Sequence, residues 1–200
     1  NLSAATLIQV DFHQANLYHA LLDRTDLSFA NLSHANLSYA NGQEANFCKV
    51  NLTEANLMLA NLCGASLWNA TLFKANLWAT SLCEVDASEA DFREAKLIEA
   101  SLIRANLFAA DLSQAKLWGA KLGEANLTQA NLTGADLRWV NLCGADLTQA
   151  DLRGANLQNA NLTGAKLYKT IMPDGSLQSS TPNLVFMLDR VIYNLSLTAS

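Results

Sequence analysis

Residues 125–147 read ANLTQANLTGADLRWVNLCGADL, with leucine at every fifth position and alanine or valine two places before each. An α-helix advances about 100° per residue, so apolar residues five apart scatter around its circumference. A strand alternates faces, so an odd spacing throws successive leucines onto opposite sides. Within each five, however, Ala-x-Leu keeps a strand's alternation and points both apolar side chains one way. The two polar residues that follow, such as Thr128-Gln129, do not belong in a core, so the chain must turn every five residues to keep one apolar side. A chain that turns at constant intervals and always hides the same side is coiled around an axis. The pattern predicts a solenoid.

The register is unbroken over most of the chain. With the leucine position called i, 36 such positions run from Leu2 to Leu177, and 30 are leucine; the others are Phe12, Gly42, Phe47, Ala87, Phe92 and Met172. Of the 35 positions at i−2, 27 are alanine, and position i−1 is mostly Asn or Asp. These residues resemble the pentapeptide repeat family, whose motif is A(D/N)LXX. The resemblance implies an all-β fold, a right-handed parallel quadrilateral β-helix with four repeats to a coil. The sequence itself supports a 20-residue coil: Cys63, Cys83 and Cys143 differ by multiples of 20, and NLCGA occurs at 61–65 and again at 141–145. The 36 repeats predict about nine coils and, at the ~4.8 Å spacing of neighbouring strands, a rod roughly 43 Å long. Each coil then rests on its neighbours rather than on one globular centre.

Two departures from the motif carry information. Gly42 and Ala87 replace core leucines, and each is followed five residues later by phenylalanine, Phe47 and Phe92. This reads as volume compensation, the ring filling space its small neighbour vacates, with Val85 helping at the second site. The alternative is a chance pairing that leaves a small cavity.

Composition narrows the function. A net charge of −5 with scattered charges gives no basic footprint, so direct nucleic-acid binding is not expected. No run of eighteen apolar residues is present, so neither a transmembrane helix nor a membrane partner is expected. The chain begins at Asn1 and enters the repeat at once, so a leader or N-terminal cap is taken to be absent from this sequence. The expected compartment is the cytoplasm. Cys48, Cys63, Cys83 and Cys143 all stand at the outward i+1 position without zinc-site spacing. Cys63 and Cys83 fall one coil apart with parallel Cβ vectors, and free thiols are expected, as in a reducing compartment.

No catalytic constellation stands out. His13, His19 and His34 occupy outward positions near the N-terminus, and no acidic or cysteine cluster joins them into a metal site. Glu84, Glu89, Glu94 and Glu99, spaced by five, fall on four successive corners of one coil and point apart, which makes a solvated belt and not an acid–base pair. The protein reads as a non-enzyme, with no catalytic residue, cofactor or metal.

What remains is the outer surface. Large apolar residues gather at outward positions of the middle coils. Met58, Trp78, Ile98 and Trp118 form one column, with Trp68, Phe73, Ile103 and Phe108 on other faces of the same coils. Contiguous exposed apolar area marks binding sites; the alternative is that stacked side chains only stiffen the ladder. Two functions follow. The first is a protein-interaction scaffold that presents this stripe to an unidentified protein partner. The second, implied by resemblance to the quinolone-resistance members of the family, is mimicry of duplex DNA to occupy a topoisomerase such as gyrase. Mimicry needs a continuous acidic face, and thirteen Lys and Arg interrupt the eighteen acids here, so the scaffold is favoured.

The segment IMPDGS at 171–176 resembles the ending of several cyanobacterial pentapeptide proteins, among them a regulator of heterocyst differentiation. Met172 and Leu177 keep register, which places the β-helix domain at 1–178 and a tail at 179–200. In the tail, Thr181-Pro182 reads as a helix start, and Leu184, Leu188, Val191, Ile192 and Leu195 share one helical face. A strand is the alternative. Residues 182–197 are expected to cap the open coil end, as a helix, or to join two chains end to end; the protein is then a monomer or a dimer.

Overall fold

The computed structural model describes residues 1–178. The chain winds into a parallel β-helix in which each i−1 residue bridges the residue 20 places on, from Thr6 with Asp26 to Asp151 with Ile171. A turn follows every bridged residue, so four turns close each coil into a quadrilateral with i−1 residues at the face centres and i+1 and i+2 at the corners. Leucine at i and alanine at i−2 fill the interior: from Leu22 to Leu152 the inward side chains are almost completely buried. Each buried leucine contributes about 1.5–3 kcal/mol.

One repeat shows why the motif has its polar letter. In Asn126–Ala130 every backbone N–H has a partner. Asn126 donates to Ala105 O (2.9 Å), Leu127 to Asp146 O (2.7 Å), Gln129 to Thr148 O (2.9 Å) and Ala130 to Leu127 O (3.0 Å). The remaining donor, Thr128 N–H, is taken by Asn126 Oδ1 at 3.1 Å, while Asn126 Nδ2 donates to Asn106 Oδ1 of the preceding coil at 3.0 Å. A side-chain oxygen at i−1 is thus the fifth acceptor of the repeat. Asn and Asp supply it because their short carboxamide or carboxylate reaches the N–H two residues on.

The turn sets a second rule that the periodicity does not reveal. Every i+2 residue from Ala4 to Lys169 has positive φ, and most are not glycine. A left-handed L-residue costs about 1–2 kcal/mol, more where the side chain is β-branched. No Val, Ile or Thr occupies i+2 anywhere in this stretch. Gly119 (φ +67°) isolates the effect, because a Cβ there would meet only Glu99 Cγ at 3.8 Å. Gly119→Val should therefore lower stability by about 1–2 kcal/mol through backbone strain alone. Urea titration checks it; an unchanged midpoint would mean that the corner relaxes freely.

The core departures are resolved too. Gly42 is packed over by its neighbours: a Cβ on it would lie 2.9 Å from Leu62 Cδ2 and 3.3 Å from Phe47 Cε2. The Phe47 ring occupies the vacated volume, so compensation holds at this site. Ala87 and Phe92 are both fully buried. Threonines at i−2 keep their hydroxyls satisfied; Thr80 Oγ1 donates to Leu57 O at 2.8 Å and Thr170 Oγ1 to Leu147 O at 2.7 Å.

The C-terminal end of the coil departs from expectation. Leu177 does not point inward: it is 63% exposed and pairs antiparallel with Ile171. The positive φ that belongs at residue 174 moves to Gly175 (φ 82°), and the chain folds back. Met172 donates to Ser176 O (2.8 Å) and Gln178 to Thr170 O (2.9 Å), which makes a hairpin. Pro173 starts the turn and Gly175 supplies the left-handed residue. IMPDGS thus ends the solenoid by reversal rather than by one more coil. The cap or dimer contact expected over 182–197 lies outside the described residues.

Candidate functional site

Four corners run the length of the rod, beginning at residues 3–4, 8–9, 13–14 and 18–19 and repeating every 20 residues. The fourth gathers the apolar surface. Met58, Trp78, Ile98 and Trp118 stack along it at i+1, as their spacing predicts. The i+2 column of the same corner adds Tyr39, Leu59 and Trp139. Trp78 and Trp118 are 38% and 39% exposed and Trp139 60%, the largest exposure of any tryptophan here. At the N-terminal end of this edge Tyr18, His19 and Tyr39 pack their rings together, His19 stacked on Tyr39 with centroids 5.0 Å apart.

The other predicted surface residues are elsewhere. Trp68 and Phe108 lie on the second corner, Phe73 on the third and Ile103 on the first. Cations cover part of this area: Lys49 Nζ sits 4.8 Å from the Trp68 ring, and Lys74 Nζ and Arg93 lie 4.8 and 5.5 Å from the Phe73 ring. The structure therefore unites four of the eight predicted residues and separates the rest. Sequence reasoning missed Trp139, Leu59 and Tyr39 because it followed i+1 alone. Pooling residues 18 and 19 of each 20-residue coil would have found them.

Several charges are matched in pairs. Arg24 and Glu44 are linked along the first corner at 2.8 Å, Glu84 and Arg104 on the same corner, and Lys74 and Glu94 on the third at 3.7 Å. Within single repeats Arg93 grips Asp91, Arg138 grips Asp136 (both 2.7 Å) and Arg153 grips Asp151 (2.5 Å). The guanidiniums of Arg138 and Arg153 hold the Asp136 and Asp151 carboxyls below their ordinary value of 3.8. Two members of the glutamate belt, Glu84 and Glu94, are thus in ion pairs on different corners.

The four thiols are free. Cys63 Sγ lies 2.9 Å from Ser81 Oγ and Cys83 Sγ 3.2 Å from Ser101 Oγ. Burial pushes the Cys83 thiol up, but hydrogen bonds from Ser101, Ser81 and Cys63 and the Arg104 charge outweigh it, leaving the group below its ordinary value. His13 and His34 meet edge to face with centroids 5.4 Å apart, His13 Nδ1 shares a hydrogen bond with Ser33 Oγ (2.8 Å), and His34 faces Glu54 at 3.6 Å. Among the described residues no group of three or more His, Cys, Asp or Glu could hold a metal ion, and no helix is long and apolar enough to cross a membrane.

Comparison with known proteins places this rod. The family model for pentapeptide repeats matches in eight copies, covering residues 1–38, 43–78, 79–114, 110–149 and 135–172. HetL, a pentapeptide repeat protein involved in heterocyst differentiation regulation in the cyanobacterium Nostoc sp. strain PCC 7120, is 33% identical over 88% of this chain and 90% of its own, with a TM-score of 0.44. The protein alr5209, a pentapeptide repeat protein from Nostoc PCC 7120, is 35% identical over 50% of this chain and 78% of its own, with a TM-score of 0.27. QnrB1, a plasmid-mediated fluoroquinolone resistance protein, is 18% identical over 95% of this chain and 96% of its own, and its TM-score of 0.52 reflects a shared fold. No curated protein sequence matches the chain. Pentapeptide repeat proteins of known structure fold as right-handed quadrilateral β-helices. With the repeat matched from residue 1 to residue 172, this chain belongs to the pentapeptide repeat family.

Proposed function

We propose that the protein is a non-catalytic scaffold that binds a protein partner along the fourth corner. The observation that carries this reading is the concentration of exposed Tyr, Leu and Trp on one edge of a rod whose interior is already filled. Aromatic side chains standing out from a rigid support lose little entropy on binding and dominate protein interfaces. The stacked coils hold them in fixed positions, so the surface is organised before the partner arrives. Similarity to HetL, a protein described as involved in regulation, supports an action through binding. DNA mimicry has less support: Arg93, Arg138 and Arg153 each neutralise the aspartate two residues before them, and QnrB1 shares the fold alone.

Capture of partners from a lysate of the source organism tests the corner. Trp78→Ser/Trp118→Ser should keep the far-ultraviolet circular dichroism of the parent and lose the captured partner. Trp68→Ser, on the second corner, should retain it. Equal capture by all three proteins would assign the tryptophans to stiffening of the ladder.

A further inference from the structure

The fourth corner changes character along its length. From Tyr18 to Ala79 neither the corner nor the i−1 residues of the flanking faces carry a charged side chain; those faces present Asn16, Asn36, Asn56 and Asn76 on one side and Leu21, Asn41, Asn61 and Ser81 on the other. From Lys96 to Asn141 the same positions hold four cations, Lys96, Lys116, Lys121 and Arg138, against two carboxylates, Glu99 and Asp136. This local excess of positive charge stands in a protein of net charge −5.

Lys96 and Lys116 contradict the repeat's own logic. Each occupies i−1, where Asn or Asp would accept the N–H two residues on, and a lysine ammonium can only donate. The N–H groups of Ile98 and Trp118 thereby lose the side-chain acceptor that Trp78 N–H finds in Asn76 Oδ1 at 3.4 Å. The two lysines are also direct bridge partners on neighbouring coils, and like charges opposed across a ladder repel. Lys96, Lys116 and Lys121 are exposed, and among the described residues none lies in an ion pair. Lys116 also bridges Asp136 on the next coil and helps to hold its carboxyl low, but that carboxylate is already gripped by Arg138, while Lys96 and Lys121 have only neutral or cationic bridge partners. Departures from a local rule with little compensation inside the fold collect at functional sites. An anion from outside would supply the compensation.

We infer that the C-terminal half of the fourth corner docks an acidic polypeptide segment of a partner protein, its carboxylates pairing with Lys96, Lys116 and Lys121 and its apolar side chains covering Trp118 and Trp139. This rests on the scaffold reading above and specifies the partner's chemistry. A polypeptide fits better than a nucleic acid because the cations are confined to three coils, while a phosphate backbone following the corner would meet no further cation at these positions on the coils to either side. The lysines set orientation and encounter rate, and the tryptophans hold the segment once it is seated.

The test is display of random peptides, long enough to span the corner, panned against the intact protein. Two variants are panned in parallel: Lys96→Glu/Lys116→Glu/Lys121→Glu and Trp118→Ser/Trp139→Ser, each first shown to keep the parent circular dichroism and melting curve. The parent should select peptides rich in Asp and Glu interspersed with apolar residues. The charge-reversed variant should bind those peptides about tenfold or more weakly. Binding should fall as sodium chloride is raised, and the tryptophan variant should lose it as well. Selected peptides with no acidic excess, or equal binding by the charge-reversed protein, overturn the inference; the scaffold reading then survives if the tryptophan variant still loses binding. Acidic peptides that bind the tryptophan variant unchanged overturn the joint surface. Tight binding of an oligothymidylate, abolished by the charge reversal, assigns the patch to nucleic acid instead and overturns the inference.

Discussion

Leu107→Asp should abolish the cooperative melt of the intact rod. Leu107 is fully buried in a middle coil, stacked between Ala87 and Leu127 at the same inward position of the coils before and after it. The substitution removes an apolar side chain and places a carboxylate where neither water nor a cation can reach it. Together these cost several kcal/mol, a large part of the total stability of an ordinary domain. Each coil is held mainly by its two neighbours, so the damage cuts the stack in two. Each half then presents an open, apolar, unpaired strand end, so aggregation should accompany the loss. Leu107→Met, which keeps volume and polarity, should cost less than about 1.5 kcal/mol. Thermal melts followed by circular dichroism separate the outcomes, and an aspartate variant that melts like the parent would remove Leu107 from the core.

The second large effect concerns Gly42 and Phe47. Gly42→Leu should destabilise by about 3 kcal/mol, because even its Cβ would crowd Leu62 and the Phe47 ring, before three further carbons are added. Phe47→Leu alone should cost on the order of 1–2 kcal/mol by leaving a void beside the glycine. The double variant restores leucine at both positions and should be more stable than the sum of the two losses by at least about 1 kcal/mol. Denaturant titration of all four proteins completes the cycle. Simple additivity would show that the two departures from the motif are independent, whatever their proximity.

These sites illustrate what could be read in advance. The Gly42–Phe47 pairing was legible because both residues break one strict ladder and lie five places apart, within a single coil. The free thiols and the dispersed glutamate belt followed from the same arithmetic of fives and twenties. The role of Asn and Asp at i−1 was not legible, since a preference for them does not say which N–H they accept. Nor was the end of the rod. Leu177 sits in perfect register by sequence, yet Gly175 takes over the left-handed position one residue late and turns the chain back on itself.

The sequence by itself determined the coil, its interior and its pitch in residues. Those follow from an alternation that repeats within five residues and recurs more than thirty times, so local geometry and burial agree at every step. Only the tertiary structure decided which i+2 residues join the i+1 column on one surface. Trp118 and Trp139 are 21 residues apart and differ in repeat position, one at i+1 and the other at i+2. They come to one corner because the left-handed residue puts both positions on the same bend, and because neighbouring coils stack with a 20-residue offset. The same stacking set Lys96 directly against Lys116, an adjacency that is repulsive in the isolated chain and becomes useful only to a partner that carries the opposite charge.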